Sequence, residues 1–361
     1  MNFYVYSEDE ISGAIRAVMK HLEDIGMADQ FSFATDKCEA PDISYNWYNL
    51  FGLIAGDFHH FNVTYPSGAA WNRKVHELLF KEMFPPVKPI QADYFLVPLT
   101  IIYGDPFTPK QTKKDFDELI ISRLCSHLLY WQHHKGKHVF FITGDSHDQV
   151  DVLRDSIVFR PSCHKDSNDH VLYYDVILDM SEVRPIEYCT NRCAFVGCLE
   201  THPLRRTLPI AIDKVGGNKI FESTPNFFNL LPRRTQENMQ LRWIEALNSS
   251  EFIIAPRGCG LTSIRFFEAL AFGRIPVLIA DDTKLPITDR LNYDDFVVRV
   301  PEGEIENLAD FIEDFRATHD LQKSSKLARD AWEEYLSGGK LRRYLELSLP
   351  PALTVNKHKV F

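Results

Sequence analysis

A chain of 361 residues, 45% hydrophobic and 25% charged, can bury two substantial cores, which excludes a disordered or fibrous chain and predicts two globular domains. A formal net charge of −10 argues against an extended nucleic-acid surface, because phosphate binding along a duplex needs a basic footprint. The seven cysteines, Cys38, Cys125, Cys163, Cys189, Cys193, Cys198 and Cys259, are odd in number and contain no Cys-x-x-Cys pair, so buried thiols are expected and neither a disulfide framework nor a zinc site.

The fold is expected to begin almost at residue 1, because Phe3 to Tyr6 reads as a strand. Ile11, Ile15, Val18, Met19 and Leu22 then recur on one face of a helix. Helices near Val75 to Met83 and Phe116 to Tyr130 alternate with strand-like runs at Tyr94 to Ile102, His138 to Thr143 and Ser156 to Arg160. A second series begins at Asp175 to Asp179 and continues with strands at Cys193 to Gly197, Phe252 to Ala255, Ile275 to Ala280 and Phe296 to Val300. Helices near Leu204 to Ile212, Gln236 to Leu247, Ser263 to Ala271 and Ile305 to Phe315 separate them. Such alternation predicts an α/β chain of parallel sheets covered on both faces. The reading divides it into domains at 1–173 and 174–340 with a C-terminal tail at 341–361, and expects the helical stretch Asp310 to Leu336 to cross back toward the first domain.

The segment from Phe252 to Pro286 carries the most chemistry. A short apolar strand ends at Pro256-Arg257-Gly258-Cys259-Gly260, after which Thr262 or Ser263 caps a helix. The first turn of a helix presents unpaired N–H groups and a positive dipole end, and glycines let a phosphate approach the backbone closely. Arg257 and Arg265 add forked guanidinium groups suited to phosphate oxygens, and Glu268, one helical turn beyond Arg265, can accept from ribose hydroxyls. Arg205 or Arg206 can reach a diphosphate from the opposite side. The candidate nucleotide site is therefore Arg205, Arg206, Arg257, Gly258, Gly260, Thr262, Ser263, Arg265 and Glu268. The same glycines come one residue short of a dinucleotide fingerprint, with Asp281 and Asp282 placed where a ribose acid would stand, so an NAD(P)-dependent oxidoreductase is an alternative. A non-catalytic nucleotide- or glycan-binding module is another, since fold does not fix function.

Phe252-Ile-Ile-Ala-Pro-Arg-Gly258, Ser263-Ile-Arg265-Phe-Phe-Glu268, Gly273-Arg-Ile-Pro-Val-Leu-Ile279 and Leu285-Pro286 together resemble the donor-site signature of the exostosin-type glycosyltransferases, glycosyltransferase family 47. Asp294-Asp-Phe296 with Val300-Pro301-Glu302, Ala92-Asp93-Tyr94-Phe95-Leu96-Val97-Pro98, Tyr130-Trp131 with Gly136 to Phe141, and Ala194 to Gly197 with His202 to Arg206 are similar to other segments of that family. The likeness runs in order from about Tyr4 to Phe315, although Lys137 stands where an Arg-Asp pair is more usual. The resemblance implies a GT-B architecture, two Rossmann-like domains facing a central cleft. It also implies an inverting transferase that moves a sugar from a UDP-sugar to a hydroxyl of an oligosaccharide or glycoprotein glycan.

Inversion needs a base on the acceptor hydroxyl and cations on the departing diphosphate. Asp145, His147 and Asp148 in the loop from Gly144 are the first candidates for the base, with Asp57 beside His59 and His60 a second cluster. The triplet Asp115-Phe116-Asp117 precedes an apolar-periodic helix and is explained by the helix dipole, so no metal and no cofactor beyond the donor substrate is expected. UDP-xylose is the expected donor, because no basic residue is evidently dedicated to a carboxylated sugar. No signal peptide or membrane segment is legible, which predicts a cytoplasmic or soluble protein, or a Golgi-luminal one if the sequence is a trimmed form.

Overall fold

The structure is a computed structural model, and it describes residues 1–26, 84–102, 110–143, 148–174, 176, 178–222, 233–337 and 340–350. Strands β1 (Phe3–Val5), β2 (Tyr94–Ile102), β3 (His138–Thr143), β4 (Ile157–Arg160) and β5 (His170–Val171) pair side by side in that order, every pair parallel. A second parallel sheet holds β6 (Asn191–Cys198), β7 (Asn218–Glu222), β8 (Ser250–Pro256), β9 (Ile275–Ile279) and β10 (Val298–Arg299), in the order β10-β9-β8-β6-β7. These are the two α/β units with parallel sheets that the GT-B expectation requires.

The strands read as continuous apolar runs because both faces of each sheet are covered. In β8 the alternation of the pleat sends Phe252 and Ile254 into one core and Ile253 and Ala255 into another. In the first sheet Phe140 and Ile142 enter a separate core with the helix Glu8–Asp24, while Val139 and Phe141 join the cluster that also contains Ile253 and Leu278 of the second sheet. One shared core therefore spans the two halves. The helix at Glu8–Asp24 starts where Ser7 and Glu10 close a capping box.

Two expectations are corrected. Residues 341–348, assigned above to a tail, form a helix whose Tyr344 packs edge-on against Tyr173 at 4.9 Å and Phe159 at 6.1 Å between ring centroids, and whose hydroxyl donates to the Val171 carbonyl. This element reaches the first sheet, and Trp332 and Leu336 of the Asp310 to Leu336 stretch join the core cluster that also holds Val139 and Phe141. Residues 176, 178 and 179 are not in a strand, and the series of the second half starts instead at β6. The expected helix from Val75 to Met83 lies outside the described residues. Among the described residues, no helix is long and apolar enough to cross a membrane.

The strand order fixes where a ligand would sit. From β6 the chain moves outward to β7 on one side, and the next strand, β8, pairs on the other, so the direction of winding reverses between β6 and β8. Open parallel sheets form a crevice beyond the carboxyl ends of the strands at such a switch point. Here those ends are Cys198 and Pro256.

Candidate functional site

The carboxyl end of β8 leads through Arg257, Gly258, Cys259 and Gly260 to the helix Ile264–Ala271, with Ser263 at its N-cap in an extended conformation. The turn is tied to its surroundings at several points. The Arg257 amide donates to the Ile279 carbonyl at 2.9 Å, and the Leu261 amide donates to Ser162 Oγ of the first half at 3.0 Å. The Leu261 amide is thus already engaged.

Arg205 does a different job from the one its sequence position suggests. It lies in a short 3-10 turn, Pro203–Thr207, after β6, and only 9% of it is exposed. Its Nε donates to the Arg257 carbonyl at 2.8 Å, Nη1 to the Cys198 carbonyl at 3.0 Å and Nη2 to the Pro256 carbonyl at 2.9 Å. The guanidinium therefore bridges the ends of β6 and β8 and holds the glycine turn from beneath. A Cβ on Gly258 would stand 3.2 Å from Arg205 Nη2, tighter than ordinary contact, which accounts for glycine there. Arg206 points the other way, exposed and paired with Glu200 at 3.1 Å.

Arg265 and Glu268 are also placed inside. Arg265 Nη1 meets Glu268 Oε2 at 2.7 Å, Arg265 Nε donates to the Val196 carbonyl at 2.5 Å, and its guanidinium carbon stands 3.2 Å from the ring centroid of Trp243 on the helix Arg233–Ser249. Their side chains are 6% and 1% exposed, so in this arrangement they form a buried ion pair. Burial lowers the Arg265 pKa, and the Glu268 carboxylate opposes that shift. Three residues apart on one helix face is also the geometry of an internal pair.

What remains at the crevice is a set of buried polar atoms without a hydrogen-bond partner among the described residues: Arg257 Nε, Ser263 Oγ and Thr283 Oγ1. Ser263 is 3% and Thr283 8% exposed. All three follow carboxyl ends of the central strands, Arg257 and Ser263 after β8 and Thr283 after β9. Buried polar groups are normally satisfied, and three orphans at one edge mark a place where polar ligand atoms would complete them. Arg257 also lies 3.8 Å from Glu302, which exchanges backbone hydrogen bonds with Asp281: the Asp281 amide donates to Glu302 Oε1 at 3.2 Å and the Glu302 amide to Asp281 Oδ1 at 3.0 Å. His202, beside them, has its pKa lowered by burial and by Arg257. Thr262 is half-buried on the same turn.

Sequence reasoning missed Glu302, Thr283 and Ser162 as parts of this edge. Glu302 follows β10 and Thr283 follows β9, so the carboxyl-end rule applied to every strand would have found them; Ser162 comes from the first half and had no local signal. The first half meets the second here through more than Ser162. Lys165 pairs with Asp282 at 2.9 Å, its amide donates to the Asp282 carbonyl, and Lys284 Nζ donates to the carbonyls of Ser167 and Asp169 at 2.9 Å each. Asp282 is therefore engaged by Lys165, which lowers its pKa, and is not presented as a ribose acid. That geometry disfavours the oxidoreductase alternative.

Of the candidate bases, Asp148 is exposed, and its backbone carbonyl accepts from Arg160 Nη1 at 2.8 Å. Asp145, His147 and Asp57 lie outside the described residues, as do His59 and His60. Asp115 and Asp117 fall within the helix Lys110–His127. Among the described residues, no three His, Cys, Asp or Glu side chains gather as a metal-ligand set, and Cys125, Cys163, Cys193 and Cys198 are buried free thiols.

Comparison with known proteins supports the family reading of this half. The Exostosin GT47 domain matches residues 218–315, which contain the whole turn and its flanking strands. A probable glucuronosyltransferase of Oryza sativa subsp. japonica is 33% identical over 92 residues, 26% of this chain and 21% of that one. An exostosin-1 homologue of Caenorhabditis elegans is 28% identical over 102 residues, covering 28% and 27%, and a probable beta-1,4-xylosyltransferase of Arabidopsis thaliana is 32% identical over 92 residues, covering 26% and 22%. The chain thus spans about a fifth to a quarter of the length of these relatives. Among solved structures, a glycosyltransferase from Rickettsia africae aligns over 96% of this chain and 97% of its own at 13% identity and a TM-score of 0.38, a likeness too distant to inform the site.

Proposed function

We propose that this chain, whose residues 218–315 match the Exostosin GT47 domain, is an inverting, metal-independent glycosyltransferase that uses a UDP-sugar. The observation that carries the proposal is the trio of orphaned polar atoms, Arg257 Nε, Ser263 Oγ and Thr283 Oγ1, around a glycine turn at the switch point of a parallel sheet. A diphosphate placed there would accept from Arg257 Nε and Ser263 Oγ, side-chain groups with no hydrogen-bond partner among the described residues, beside the N-terminus of a helix.

The chemistry follows from charge. As the acceptor oxygen bonds to the anomeric carbon, the bond from that carbon to the diphosphate oxygen breaks and its electron pair leaves with UDP. Arg257 and the helix dipole stabilise the charge that develops. The acceptor's proton passes to a carboxylate or imidazole of the first half, with the 144–148 loop the proposed source. Arg205 shapes this cradle without touching the donor. The acceptor is proposed to be a hydroxyl of an oligosaccharide or glycoprotein glycan.

The donor proposed is UDP-xylose. Names among the similar proteins divide between glucuronosyltransferase and xylosyltransferase. Arg205 and Arg265 are both committed to internal bonds, so the turn has Arg257 for the diphosphate and no second cation assigned to a sugar carboxylate. A panel of UDP-sugars with a mixed glycan acceptor tests this: UDP-xylose is consumed fastest, and EDTA leaves the rate unchanged. Consumption of UDP-glucuronate alone, or a rate abolished by EDTA and restored by Mn²⁺, would overturn the donor or the metal assignment respectively.

A further inference from the structure

A second cavity lies at the opposite end of the second sheet from the glycine turn. It has a volume of about 440 Å³ and sits between the segment 183–187, the turn that precedes β9 and the helix Leu321–Ala331. A volume of this size is typical of small-molecule sites. Its floor is Arg274, 1% exposed, whose hydrogen bonds all run to backbone carbonyls, among them Leu247 at 2.7 Å and Arg184 at 2.5 Å. No carboxylate forms an ion pair with it among the described residues, although the nearby Glu187 carboxylate favours its charged form.

The rim adds Arg184, Lys326 and Arg329, whose carboxylate partners Glu245, Asp330 and Glu333 stand outside the cavity wall. The Arg184 and Lys326 pairs are largely solvent-exposed and therefore individually weak, so these two cations can turn toward a ligand at little cost, whereas Arg329 is also tied to the Ala271 carbonyl. Glu187, exposed and unpaired among the described residues, and the amide of Gln322 complete the lining. A bare anion would be repelled by Glu187, and a neutral polyol would offer no charge to the rim cations Arg184 and Lys326. The combination selects a ligand with an oxyanion for the cations and hydroxyls for the carboxylate and amide.

We propose that this cavity binds a small hydroxylated oxyanion, a sugar acid or sugar phosphate, independently of the nucleotide. The site goes beyond the transferase reading and stands without it. Isothermal titration of the full chain with glucuronate, glucose 6-phosphate, glucose and sulfate, each with and without saturating UDP, tests it, and the first two probes tell the carboxylate from the phosphate. At least one sugar anion should bind ten-fold or more tightly than glucose or sulfate, with the same affinity when UDP is present. Lys326→Glu should weaken that binding at least ten-fold while leaving the melting temperature and UDP affinity unchanged, and Glu187→Gln should improve sulfate relative to the sugar anion. Equal binding of glucose, competition with UDP, an unchanged affinity in Lys326→Glu, or no binding of either sugar anion at millimolar concentration would overturn the assignment.

Discussion

Arg205→Met removes the guanidinium that joins β6 to β8 while keeping most of the side chain's aliphatic stem. Three hydrogen bonds are lost, at 2.8, 3.0 and 2.9 Å, each from a charged donor to a backbone carbonyl. A bond to a charged group contributes about 1.5 kcal/mol at the low end, so three contribute about 4.5 kcal/mol before solvent replaces any of them. The bond to the Arg257 carbonyl is only partly buried, so solvent recovers part of it, which brings the expected loss to about 3 to 4 kcal/mol. Urea unfolding followed by tryptophan fluorescence and by circular dichroism measures it, with Arg205→Lys as the companion variant. Lysine keeps the charge but not the fork, so it should recover a minority of the loss. UDP affinity should fall in both variants in proportion to the disorder of the turn. If Arg205→Met costs less than about 1 kcal/mol while UDP affinity collapses, Arg205 is a ligand to the diphosphate and the clamp described here is wrong.

Arg265→Met leaves Glu268 buried without its partner, and breaking one side of a buried pair costs about 3 to 5 kcal/mol; a variant as stable as the parent in urea would refute the internal placement of this pair. His138 predicts an acid limb. It is fully buried, its Nδ1 bonded to the His134 carbonyl and its Nε2 to the Tyr6 hydroxyl, and burial pushes its pKa down to about 4. Because the folded protein resists protonation more than the unfolded chain, stability is full above about pH 6.5 and falls as pH drops toward 4, by about 3 kcal/mol. His138→Phe should make that limb shallower in urea midpoints measured from pH 7 to 4, the remainder coming from His170, whose pKa burial also lowers to about 4, and an unchanged limb would contradict the assignment.

The fold was legible wherever a strand was buried on both faces. Tyr94 to Ile102 and His138 to Thr143 show as mostly apolar runs, and the structure places β2 and β3 on the same residues. Asn218–Glu222 was not legible, because this strand lies at the sheet edge and mixes polar with apolar residues. Leu341–Ser348 was missed because a short helix draws its stability from packing, here Tyr344 against residues more than 170 positions away. The glycine turn and its arginines were visible as types, and their orientation was not. Whether a guanidinium faces a crevice or a carbonyl depends on partners such as Cys198 and Trp243, brought close only by strand pairing and helix packing. Thr283 and Glu302 were not assigned to the site for a different reason: each is a single polar residue after a strand, marked only by its place at a carboxyl end.

The most direct test is isothermal titration of UDP into the parent protein, Arg257→Met and Ser263→Ala, each with its unfolding midpoint in urea. Since Arg257 Nε and Ser263 Oγ have no internal hydrogen-bond partner among the described residues, neither variant should lose more than about 1 kcal/mol of stability. UDP should bind the parent, lose about ten-fold or more in affinity with Arg257→Met, equivalent to about 1.4 kcal/mol, and lose several-fold with Ser263→Ala. No binding of UDP to the parent, or equal affinity in all three proteins, would contradict the placement of the diphosphate at this turn.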